Sequence, residues 1–240
     1  MELICKKDEH HFYYQYWKDL SQQYSYSHSV VLPKATYSPW NGDEQFLRIY
    51  DIAKENTLVD IYRCYELWKL VQQTNKLPGK LIEVGVWKGG TGTIIAGAAQ
   101  GATVFLCDTF SGVVKAGEKD NQYVGGEHAD TSVNIVESLF SKVGLSNYSI
   151  LQGIFPEETG AVPGDEQIRF CHIDVDVYNS ARDIFNWVMQ RLVTGGIIVF
   201  DDYGFAACEG ITGLVNELGQ DDRLHQIHNI NGHGILIKIK

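Results

Sequence analysis

The chain has 240 residues, of which 44% are hydrophobic and 21% charged, and carries a formal net charge of −10. That composition suits one soluble domain with appendages, and its acidity argues against general affinity for nucleic acid or an anionic membrane surface. No apolar run approaches the ~20 residues of a membrane span, and the amino-terminus lacks a signal-peptide core.

Residues 1–42, rich in Tyr, His and Ser, show weak periodicity and read as an irregular amino-terminal arm, with His10 and His11 at its surface. Two helical patterns follow from Asp43: "DEQFLRIYDIAKE", then "TLVDIYRCYELWKLVQQ". In the second, Ile61, Tyr65, Trp68 and Val71 form a stripe at helical spacing, and Pro78-Gly79 ends the section. Five cysteines are scattered along the chain with no C-x-x-C pair. They favour a reducing cytoplasm over a disulfide framework or a zinc site.

From Lys80 the pattern changes. Apolar strand-like runs alternate with amphipathic stretches: "LIEVGV", a helix from about Gly92, "TVFLCDT", a helix near 130–143, "YSILQG", "RFCHIDV", the helix "SARDIFNWVMQRL", and "GIIVFDD". Such alternation predicts a doubly wound α/β sheet of parallel strands. The last two strands, "HQIHNI" and "HGILIKIK", flank Asn231-Gly232, a strong hairpin signal, and are expected to be antiparallel. A parallel sheet closed by an antiparallel hairpin resembles the Rossmann-like layout of class I methyltransferases, not that of a dinucleotide dehydrogenase.

In open α/β sheets ligands sit beyond the carboxyl ends of the strands. The first end, "EVGVWKGGTG" from Glu83 to Gly92, is a glycine turn without the spacing of either common phosphate-binding loop. A ligand with a carboxylate and an amine suits it, and S-adenosylmethionine has both; the alternative is a turn that binds nothing. Asp108 ends the second strand 19 residues after Gly89. An acid there accepts ribose hydroxyls in nucleoside-binding folds, or caps a helix. At the third end Gln152 offers a polar side chain to an adenine edge.

The fourth and fifth ends carry two acidic pairs, Asp174 with Asp176 and Asp201 with Asp202. If the strand continued through residue 176, both carboxylates of the first pair would share a side. Two charges there, roughly 6 Å apart, repel by about 3 kcal/mol at an effective dielectric near 20. A divalent cation such as Mg²⁺, Mn²⁺ or Ca²⁺ would relieve the repulsion.

At these residues the sequence resembles the macrocin O-methyltransferase (TylF-type) family of S-adenosylmethionine enzymes. "EVGVWKGGTG", "LCDTFSGV", "HIDVDVYNSARD" and "GGIIVFDDYG" match it in order and spacing over about residues 43–240. Within that family the nearest likeness is to enzymes that methylate a deoxysugar hydroxyl of a finished antibiotic. The resemblance implies Asp174, Asp201 and Asp202 as ligands of Mg²⁺ or Mn²⁺, and Asp176 as general base. It implies Glu83, Gly85, Thr91, Asp108 and Gln152 as the S-adenosylmethionine site, and a small-molecule glycoside as acceptor. Residues 43–79 take the place of the family's helical lid, leaving 80–240 as the methyltransferase core. Residues 111–130, long and Gly-rich, read as a mobile substrate loop. The rival enzyme class is a metal-dependent nucleotide-sugar or phosphoryl transferase using the same acids. Homo-oligomerisation is left open.

Overall fold

Aspartates start the first two helices. The structure is a computed structural model that describes residues 36–240, the backbone of 2–7 and 12–17, and residues 25, 26 and 28. In it Asp43 accepts a hydrogen bond from Phe46 N (3.0 Å) and caps α1 (Glu44–Ala53). Asp60 accepts one from Arg63 N (3.0 Å) and opens α2 (Ile61–Thr74). Both satisfy amide donors that a first helical turn leaves over. Ahead of them β1 (Glu2–Lys7) and β2 (Phe12–Trp17) pair antiparallel, so part of the arm is regular. Residues 10 and 11 lie outside the described residues.

The elements that follow are β3 (Lys80–Val84), α3 (Gly90–Ala98), β4 (Val104–Asp108), α4 (Val133–Val143), β5 (Tyr148–Gln152), β6 (Ile168–Ile173), α5 (Tyr178–Met189), β7 (Leu192–Phe200), α6 (Glu209–Leu218), β8 (Leu224–His228) and β9 (Gly234–Lys238). The seven-stranded sheet has the order β5-β4-β3-β6-β7-β9-β8. Its first five strands are parallel and its last two pairings antiparallel. This is the Rossmann-like arrangement that the alternation and the terminal hairpin predict. Helix α6 is an addition, since Gly210 and Gly213 dilute its apolar period in "EGITGLVNEL".

Alternating strand residues face two buried clusters. Ile198 and Phe200 of β7 join α5 and α6 on one side. Ile197 and Val199 join α1, α2, α3 and α4 on the other. Phe46, Leu67, Trp68 and Val71 have no exposed surface, and α2 lies against β6 and β7. Helices α1 and α2, expected as a lid, are built into the sheet's own helical layer, and the turn between them, residues 56–59, reaches the carboxyl ends of the strands. The physical reason is coverage, because α3 and α4 alone would leave the β6–β7 side of that face wet.

Candidate active site

Between β3 and β6 the strand order reverses, and there the carboxyl ends of neighbouring strands diverge into a crevice. A cavity of about 270 Å³ occupies it, near the lower end of small-molecule sites, roughly 300 Å³. Gly85, Thr91, Asp108, Asp174, Asp176, Asp201 and Asp202 all line it. Gly85 has φ +90°, and a Cβ there would lie 1.6 Å from the Asp174 carbonyl oxygen. Its glycine is demanded by the adjacent strand end, before any ligand is considered.

Asp108 clamps the turn after β3 to the end of β4. Its Oδ2 accepts hydrogen bonds from Val86 N (2.7 Å) and Trp87 N (2.8 Å), and its Oδ1 accepts one from Phe110 N (2.6 Å). The carboxylate thus holds the glycine turn in shape while lining the cavity.

The acidic pairs meet by a different route from the one the sequence suggests. Strand β6 ends at Ile173, ahead of both acids, and Asp176 adopts a left-handed backbone (φ 64°), as does Asp202 (φ 61°). Asp tolerates that conformation better than most L-residues. Turns, not strand alternation, bring the carboxylates together. One oxygen from each of Asp174, Asp201 and Asp202 lies within 4.8 Å of the others, and Asp176 groups separately with Asp202 and Cys208. Burial, reinforced by the neighbouring carboxylates, pushes Asp174 and Asp202 well above the usual carboxylate range. Burial also raises Asp176, against a lowering hydrogen bond from Tyr123.

Asp201 differs. Its Oδ1 accepts a hydrogen bond from Arg63 Nη1 at 2.6 Å, and His233 Nε2 stands 3.2 Å away at an ion-pair distance. Burial alone would raise its pKa, but His233 and Arg63 outweigh burial and hold it below the ordinary value. Arg63 comes from the first turn of α2, where its Nε donates to Asp60 Oδ2 (2.9 Å) and its guanidinium lies 4.8 Å from the Phe205 ring centre. His233 Nδ1 is 2.6 Å from Glu66 Oε2, and Asn229 Nδ2 donates to both oxygens of that carboxylate. Below them His172 Nδ1 pairs with Glu83 Oε1 at 2.9 Å. His172, His233 and Asp201 also form a cluster of metal-ligand types, but both histidines are fully buried outside the cavity lining.

Residues 109–132 form the opposite wall. Tyr123 hydrogen-bonds Asp176, and burial followed by the Asp176 charge raises its phenol pKa. His128 Nε2 is 3.4 Å from the Tyr123 hydroxyl. The segment is tied down by Asp120, which accepts from Tyr178 N (2.9 Å) and Gly117 N (2.8 Å), and by Asp130, which accepts from Trp87 Nε1 (2.8 Å) and Lys88 Nζ (2.6 Å). Leu58 and Phe205, 70% and 41% exposed, make the rim apolar.

Two expected cofactor residues do not reach the cavity. Glu83 is fully buried on the α2–α3 side, and Gln152 is exposed outside the lining. Conversely, Arg63, Tyr123 and His128 line it without having been singled out. Arg63 lay next to a helical stripe that reads as packing, and no spacing rule links residue 63 to residue 201.

The macrocin-O-methyltransferase (TylF) family model matches residues 53–238. Mycinamicin III 3''-O-methyltransferase of Micromonospora griseorubida is 28% identical over 171 residues, covering 64% of this chain and 67% of that protein. Demethyldecarbamoylnovobiocin O-methyltransferase of Streptomyces niveus is 28% identical over 169 residues, covering 63% of each. Thus about a third of each relative lies outside the match. Among solved structures, the O-methyltransferase NovP superposes with a TM-score of 0.66 at 24% identity, covering 77% of this chain and 83% of that one.

Proposed function

This chain belongs to the macrocin-O-methyltransferase (TylF) family, and on that premise we propose that it transfers the methyl group of S-adenosylmethionine to a sugar hydroxyl of a natural-product glycoside, with a divalent metal. One observation carries the reading: three carboxylates, the buried Asp201 and the half-buried Asp174 and Asp202, converge within 4.8 Å at the switch point of the sheet. Their all-oxygen donor set fits Mg²⁺ or Mn²⁺. The names of the curated relatives, O-methyltransferases of mycinamicin III, of demethyldecarbamoylnovobiocin and of a rhamnosyl-tetracenomycin C, support a glycoside acceptor. So does the rim, where Leu58 and Phe205 offer apolar contact to an aglycone. Among the described residues the sole Lys or Arg lining the cavity is Arg63, already tied to Asp201, so a nucleotide diphosphate finds no free Lys or Arg among them.

S-adenosylmethionine supplies the electrophilic methyl, and a bound cation supplies positive charge that acidifies an alcohol and steadies its developing negative charge. The glycine turn at Gly85 and Thr91, shaped by Asp108, holds the methyl donor. Asp174, Asp201 and Asp202 would hold the cation. Asp176, beside Asp202 but outside that trio, takes the proton that leaves the acceptor hydroxyl as its oxygen bonds to the methyl carbon and the carbon–sulfur bond breaks. Tyr123 keeps the Asp176 carboxylate aimed at the cavity. The walls from 56–59 and 109–132 exclude water around the reacting atoms.

The test is a panel of glycosides incubated with S-adenosylmethionine, with and without EDTA, read by mass spectrometry. A methyl-sized mass gain that EDTA abolishes and Mg²⁺ restores is the expected result. Full turnover in metal-stripped buffer would remove the metal from the reading and leave an acid–base enzyme.

A further inference from the structure

Asp201 is the one member of the acidic trio that enters the cavity already held. Both of its close polar contacts fall on the same oxygen, Oδ1: Arg63 Nη1 at 2.6 Å and His233 Nε2 at 3.2 Å. Each of these groups is itself anchored. Arg63, 5% exposed, is braced by Asp60 and by the Phe205 ring. His233, fully buried, is braced by Glu66. Arg63 and Glu66 are three residues apart on α2 and therefore share one helical face. One face of a core helix thus reaches one oxygen of one carboxylate from two sides, by a hydrogen bond from Arg63 and by an imidazole that stands at ion-pair distance without a well-aligned hydrogen bond. Among the described residues Asp174 and Asp202 have no comparable cationic support: Asp202 hydrogen-bonds with Asp176, and its ion-pair partner is the same guanidinium, at 3.8 Å.

We propose that Arg63 and the Glu66–His233 pair are positioning residues that fix the orientation of Asp201, so that its remaining oxygen is presented to the cation in a single geometry. The inference rests on the metal reading above. It explains a charge placement that electrostatics alone would penalise, since a guanidinium beside a cation site repels the cation. Groups that orient a ligand typically change metal affinity 10–100-fold when removed. The two effects of deleting Arg63 therefore have opposite signs. Removal of a repelling charge tightens metal binding, whereas release of Asp201 weakens it.

The experiment is titration of Mn²⁺ alone, read by electron paramagnetic resonance from the loss of the free-ion signal. It uses the wild-type chain, Arg63→Met and Glu66→Gln, each checked for a native near-ultraviolet circular dichroism spectrum. Expected are Mn²⁺ affinities about 10–100-fold weaker for Arg63→Met, a smaller loss in the same direction for Glu66→Gln, and a broadened bound-Mn²⁺ spectrum in both. If Arg63→Met does not fold, Glu66→Gln decides, because that side chain is 24% exposed and keeps its size and one acceptor oxygen. Either folded variant binding Mn²⁺ as tightly as wild type, or more tightly, overturns the inference. Failure of the wild-type chain to bind Mn²⁺ is a separate result: the metal reading then falls, and this inference with it.

Discussion

Asp201 and Asp176 sit in one acidic crevice but are held by different kinds of structure. Asp201 is held by the Arg63 guanidinium, with the His233 imidazole at 3.2 Å, and both are braced by a helix whose apolar face is core. Asp176 is held by neutral or weak partners: Tyr123, a phenol on a loop between β4 and α4, the Cys208 thiol, which donates to its Oδ1 at 3.8 Å, and Asp202. A carboxylate gripped by buried ion pairs cannot turn without leaving charges unpaired, which is costly. A carboxylate held by a phenol, a weak thiol donor and a neighbouring carboxyl can change partners as a substrate enters. The first arrangement suits a fixed ligand and the second suits a group that must exchange a proton.

The strongest test of this contrast is Asp176→Asn. It keeps size and hydrogen bonding but cannot take the proton, so turnover should fall about 10²–10⁴-fold while Mn²⁺ affinity stays near wild type. Loss of Mn²⁺ binding would instead make Asp176 a fourth ligand and erase the difference between the two carboxylates.

Next in size is Trp68→Ala. Trp68 is fully buried in the layer that carries Arg63, and its Nε1 donates to Asp43 Oδ2 at 3.1 Å. Truncation should cost about 3–5 kcal/mol of stability, as for other buried aromatics, measured by urea unfolding. A loss below about 1 kcal/mol would show α2 to be a loosely docked cover after all.

Tyr123→Phe probes the other support. Losing a hydrogen bond to a charged group, about 1.5–3 kcal/mol, should lower turnover roughly 10–100-fold with little change in the melting temperature. Turnover equal to wild type would mean that Asp176 is held by something else.

Hydrogen exchange compares the two regions in one experiment. Amides of 113–128 should exchange more slowly when S-adenosylhomocysteine and a glycoside are bound, while those of 64–72, already in the core, should not change. Slowing at 64–72 would restore a covering role to α2.

The smallest effect is expected for Lys115→Ala. Its ammonium pairs with Glu157 and Asp183, both partly exposed, and such surface pairs are worth about 0–1 kcal/mol. A larger loss in thermal stability would mark the loop as part of the fold's cooperative unit.

The alternating β and α text from Lys80, the Asn231-Gly232 hairpin, the glycine turn and the four aspartates at strand ends were legible in the chain, because periodicity and turn chemistry are local properties. Helix α6 was not, since Gly210 and Gly213 interrupt the pattern that would announce it. Nor was the role of α1 and α2: an amphipathic period tells that one face is covered, not whether core or ligand covers it.

Local order thus determined the element types, the sheet class and the presence of an acidic cluster at one end of the sheet. Tertiary structure alone decided which oxygens converge, because turns at Asp176 and Asp202 replace the strand geometry that the spacing implies. It alone paired Arg63 with Asp201 across 138 residues of chain. Such a contact depends on how a helix packs on a sheet, and packing is set by the sum of many distant side chains rather than by any short stretch of sequence.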